Sequence, residues 1–167
     1  MTGALNTAKE QFMLKRKFAI IALLTLALVG MAIMDALAQD DIDAHRSCAV
    51  CNMDRKAYGY SRMLIHYEDG AVVGACSLHC AVVELDTNRG RTVKSLLVAD
   101  RDSRALIDVE RAIWVMGGGK RGVMTQLPTW AFQSKAGAEA FMKANGGKIV
   151  TWAEALAASR EKLVRKH

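Results

Sequence analysis

Hydropathy divides the chain into a short apolar head and a longer, finely patterned remainder. Lys15, Arg16 and Lys17 precede a run from Phe18 to Met34 that carries no charge, and Ala36-Leu37-Ala38 follows it. A basic flank, an apolar run and an A-x-A end form the pattern of an export signal. At 17 residues the run also reaches the lower edge of a bilayer-spanning helix. Residues 1–38 are therefore expected to be a signal peptide cleaved after Ala38, or an uncleaved N-terminal membrane anchor. In both cases the basic flank stays in the cytoplasm and the rest is exported to the periplasm.

Residues 39–59 show no period and read as a polar leader followed by a cysteine-rich loop. Residues 60–104 read as a first ββαβ unit. Met63, Ile65 and Tyr67 alternate on one strand face, Asp69-Gly70 marks a turn, and Ala71 to Ala75 returns as a second strand. Ser77 is placed to cap a helix with Leu78, Ala81, Val82 and Leu85 on one stripe, Asn88-Arg89-Gly90 stops it, and Val93 to Ala99 forms a strand. Residues 105–167 repeat that order as a second ββαβ-like unit with a C-terminal helix. Its strands are Ala105 to Val109, Ala112 to Met116, Thr129 to Gln133 and Lys148 to Val150. Ser134 caps a helix with Ala138, Phe141 and Met142 inward, and Thr151 and Glu154 form a capping box for the last helix. The expected class is α+β: two small similar units with helices packed on antiparallel sheets, behind an N-terminal signal or anchor helix.

Composition narrows the function. The chain is 51% hydrophobic and 24% charged, which excludes a disordered polymer. The net charge of +6 falls to +4 once residues 1–38 are removed, too mild to call for nucleic acid as a partner. Gly117-Gly118-Gly119-Lys120 lacks the spacing and the Ser/Thr of a phosphate-binding loop and reads as a plain loop.

Soft donors cluster in one stretch. Cys48 and Cys51 lie three apart in the loop, with Met53 two further on; Cys76, His79 and Cys80 stand at i, i+3 and i+4 on one side of a helix start. A helix N-terminus favours thiolate, so Cys76 and Cys80 are expected to deprotonate easily. Sulfur-rich sites select Cu(I), zinc or iron–sulfur clusters, and a thioether beside the cysteine pair tilts the choice to Cu(I). Two disulfides, a structural zinc module and a thiol–disulfide exchange protein using Cys48 and Cys51 stand as alternatives. Haem attachment is excluded, because position 52 is Asn52. Met63, Met116 and His66 fit packing or surface roles better than ligation, and His45 belongs to the leader.

Cys48-Ala-Val-Cys51-Asn-Met53-Asp54, the hairpin Ile65-His-Tyr-Glu-Asp-Gly70 and Cys76-Ser-Leu-His-Cys80 together resemble the NosL family, accessory proteins of nitrous oxide reductase. Trp130-Ala-Phe132 and Gly146-Gly147-Lys-Ile-Val150 are similar to that family's second half. The resemblance implies a periplasmic copper chaperone, not an enzyme, that binds Cu(I) and passes it to a copper enzyme such as nitrous oxide reductase, alongside that enzyme's maturation proteins. It implies two homologous ββαβ-type units, similar to part of an organomercurial lyase. It also implies metal ligation by Cys48, Cys51 and Met53, with Cys76, His79, Cys80 and Met124 as further ligands. The sequence departs from the family's lipoprotein members in having no cysteine at the Ala38-Gln39 junction.

Overall fold

The computed structural model describes residues 41–164. The signal or anchor expected over residues 1–38 lies outside them. No helix among the described residues is long and apolar enough to cross a membrane.

Strand β1 (Met63–Tyr67) alternates as its pattern requires: Met63, Ile65 and Tyr67 are buried together in the larger core. It turns at Gly70, whose φ of +87° is open to glycine at no steric cost, into β2 (Val72–Ala75). Helix α1 (Leu78–Thr87) buries Leu78, Ala81 and Val82 and ends at Asn88. The chain returns as β3 (Val93–Ala99), and β4 (Leu106–Asp108) pairs with it. The second half runs β5 (Ile113–Met116), β6 (Thr129–Phe132), α2 (Lys135–Asn145), β7 (Lys148–Val150) and α3 (Trp152–Val164).

The repeat suggested by element order is present in the pairing. The first sheet has order β2-β1-β3-β4 and the second β6-β5-β7. In each, the first strand of the unit lies in the middle, flanked antiparallel by its hairpin partner and by the strand after the helix. β4 departs from the sequence reading, which groups it with the second half. It is the fourth strand of the first sheet, because the turn before it closes locally. Asp100 N–H donates to the Ala105 carbonyl (2.8 Å), and the Asp100 carboxylate accepts from Ser103 N–H (2.8 Å) and Oγ (2.6 Å). β5 is then free to lead the second hairpin.

The leader is also more than a polar tail. Residues 41–44 are helical, and Asp41 and Ile42 are buried.

Candidate metal centre

The loop carrying Cys48 and Cys51 is a tight reversal. Ser47 bridges Asp54, Cys48 N–H donates to the Met53 carbonyl (2.9 Å), and Asn52 takes a left-handed φ of +62°, which asparagine tolerates better than most residues. Ala49 N–H donates to the Gly74 carbonyl (3.0 Å), docking the loop on the end of β2, immediately before Cys76. Cys80 sits one turn along α1 from Cys76, as the i, i+4 spacing requires.

All four sulfurs converge, lying within 4.8 Å of one another. Cys51 Sγ is 3.5 Å from Cys76 Sγ, and Cys76 Sγ is 3.6 Å from Cys80 Sγ. These distances are far longer than a disulfide bond, and all four thiols are free. Cys48, Cys76 and Cys80 are buried; Cys51 alone is partly exposed.

The order of deprotonation reverses the sequence expectation. Cys48 is held well below the ordinary thiol range, first because Cys76 and then Cys80 donate S–H to it, with the backbone N–H groups of Cys51 and Val50 adding to the effect. Cys76 is pushed up to about 12, chiefly by donating to Cys48. Cys80 is also pushed up, first by Cys48 and then by Cys76. The helix N-terminus does not decide which thiol ionises. Two buried thiols give up hydrogen bonds to a third sulfur, and that sulfur carries the charge.

A buried charge cluster stands behind the loop and went unseen in the sequence. Arg55 and Arg62 are 0% exposed, and both ion-pair with Asp41, each at 2.8 Å. Arg55 also donates to the carbonyls of Ala75 (3.3 Å) and Met63 (3.1 Å), tying the cysteine loop to the hairpin beside Cys76. Gly74 leaves the space: a Cβ there would fall 2.6 Å from Arg55 Cζ. Two guanidinium groups against one carboxylate leave a formal charge of +1, which offsets thiolate charge in the pocket. The signal available in the sequence was two arginines inside otherwise structural stretches; no local spacing tied them to Asp41.

The remaining candidates fall elsewhere. Met53 is half-buried and packs against the core that contains Cys48. His79 is half-buried on the same turn as Cys80 but lines a cleft with Ser61, Ser77 and Val123, outside the sulfur cluster. Met124 is 42% exposed, at a φ of +58°, on the loop between β5 and β6.

Four thiols in this arrangement can hold a soft or borderline cation. Tetrahedral coordination at ordinary zinc–sulfur lengths places sulfurs about 3.8 Å apart, and trigonal Cu(I) requires a similar spread.

The NosL family model matches residues 39–159. A solved structure described as the copper chaperone NosL from Shewanella denitrificans aligns with a TM-score of 0.52 and 22% identity, covering 65% of this chain and 87% of that one. At that identity the likeness speaks to the fold. No curated protein matches the chain.

Proposed function

The chain belongs to the NosL family, and from that premise we propose that it is a copper chaperone that binds Cu(I) and hands it on, rather than an enzyme. The observation that carries the reading is the pocket itself: four sulfurs within 4.8 Å, of which only Cys51 reaches solvent. A resident structural ion calls for four closed ligands; a cargo ion needs a way out. Cys51 supplies it. An incoming donor meets the ion at Cys51, becomes a ligand before the buried sulfurs let go, and draws the ion out by exchange. Cys48, already ionised, is the first anchor, and the protons of Cys76 and Cys80 are released as copper binds. Met53, His79 and Met124 are secondary to the four sulfurs in this reading.

Export to the periplasm through residues 1–38, attachment there if the signal is uncleaved, and delivery to nitrous oxide reductase complete the proposal. They are supported by the pattern of the N-terminal run and by the family resemblance.

Titration of the reduced exported protein with Cu(I) against a competing chelator tests the binding. One tight equivalent is expected, lost in Cys48→Ser/Cys51→Ser. Unchanged stoichiometry and affinity in that variant would overturn the assignment. Cys51→Ser alone is expected to bind copper but release it to an acceptor more slowly. A structural zinc site is the second reading, favoured by the near-tetrahedral spread of the sulfurs. It predicts that a chelator unfolds the protein, whereas a cargo site leaves far-UV circular dichroism unchanged.

A further inference from the structure

We infer that the cavity between the β3–β4 turn and the glycine-rich loop binds an oxyanion, a carboxylate or phosphate group. The cavity is separate from the sulfur pocket. It has a volume of about 370 Å³ and is lined by Tyr60, Arg101, Asp102, Arg104, Lys120 and Trp130.

Three cations face one acid. Asp102 is engaged by Arg101, at 2.7 Å. Among the described residues Arg104 and Lys120 have no carboxylate partner. Two buried donors on the same lining are also unsatisfied, Nε of Arg101 and the indole N–H of Trp130. Trp130 is only 3% exposed. A buried N–H without a partner is costly and uncommon in a folded protein, and two on neighbouring residues beside uncompensated positive charge point to one missing acceptor. Arg101 is fixed in place by its stacking, 4.7 Å from the Phe141 ring centroid and 5.8 Å from that of Trp130.

Backbone geometry holds the two unpaired cations in place. Arg104 has a left-handed φ of +64°. A residue with a Cβ keeps that conformation only where its surroundings impose it, and such residues gather at functional sites. Here Arg104 N–H donates to the Asp100 carbonyl (2.8 Å), and the Arg104 carbonyl accepts from buried Arg62 (2.8 Å). Lys120 follows three glycines pinned to the end of α2. Gly119 N–H donates to the Asn145 carbonyl (2.7 Å), and a Cβ on Gly118 would fall 2.6 Å from that same oxygen. The loop that lacks a phosphate-binding motif in its own backbone thus presents its lysine to a cavity built by other segments. Planar guanidinium groups and an indole N–H suit carboxylate or phosphate oxygens.

The test is the indole N–H resonance of Trp130, assigned by its disappearance in Trp130→Phe. The full exported chain is titrated separately with citrate and with inorganic phosphate, ionic strength being held constant with sodium chloride. A saturable shift with one of them is expected, and the anion that saturates first identifies the source chemistry. In Arg104→Gln/Lys120→Gln, whose changes are on the surface, binding should weaken about tenfold or more, the loss expected for charge-assisted hydrogen bonds. A linear drift with both anions, or an unchanged midpoint in the double variant, would overturn the inference. Copper binding is expected to be unaffected in that variant, so failure here and failure of the chaperone reading are distinguishable.

Discussion

Asp41 shows how far one carboxylate can govern the pocket. It is almost fully buried and is the only acid paired with Arg55 and Arg62 among the described residues. Burial pushes its carboxyl up, but the hydrogen bonds and charge of Arg62, then of Arg55, outweigh that and leave it below its ordinary value. A depressed carboxylate contributes stability that is fully present above the unfolded-state value and is lost as pH falls through the folded-state value. Asp41→Asn leaves two buried guanidinium groups facing no anion, and breaking such a cluster costs about 3–5 kcal/mol. Urea unfolding at pH 7 should therefore place the variant well below the parent. Near pH 2, where the parent's own Asp41 is protonated, the gap should close. A gap of constant size over that range would show that Asp41 contributes shape and not charge.

Helix starts allow a sharper comparison. Ser77 and Ser134 both look like caps in the sequence, yet only Ser134 caps: its Oγ accepts from Gly137 N–H at 3.1 Å, while Ser77 makes no side-chain cap bond. Ser77 Oγ lies instead 3.8 Å from Cys76 Sγ. Ser134→Ala should cost about 1 kcal/mol in thermal or urea unfolding, and Ser77→Ala less than about 0.5 kcal/mol. Equal losses would mean that Ser77 stabilises α1 by another route. The same contrast marks what the sequence carries. Alternation at Met63, Ile65 and Tyr67, the stop at Asn88 and the Thr151–Glu154 box are local, and each is present in the fold. β4 has three half-buried residues and no alternation, so its partner depends on the turn that precedes it. Arg55 and Arg62 read as surface because charge usually is; their partner Asp41 is 14 and 21 residues away. The clustering of the cysteines was legible from spacing. Their order of ionisation was not, because it depends on which sulfur the other two face.

The molecule provides separate reporters for its two repeats: all four cysteines precede β3, and all three tryptophans follow β4. The larger core nevertheless runs through both, joining Cys48, Met63, Cys76 and Val82 to Trp114, Ala131, Val150 and Ala155. Backbone bonds reinforce the join. Arg101 N–H donates to the Ala131 carbonyl (2.9 Å), and Gln133 N–H donates to the Asp100 carboxylate (2.8 Å). With so much shared interior, neither repeat can lose its packing without exposing the other's, and unfolding should be a single cooperative step. Thiol reactivity and tryptophan fluorescence, followed through one urea titration, should give the same midpoint. Copper sharpens the test. An ion bound only by the folded state stabilises it by about 2.7 kcal/mol at a free concentration one hundred times its Kd. In a cooperative molecule that gain must appear in the tryptophan signal, although no tryptophan lies in the half that carries the sulfurs. A thiol midpoint that moves with copper while the fluorescence midpoint stays put would mean that the repeats unfold independently and that the shared core does not couple them.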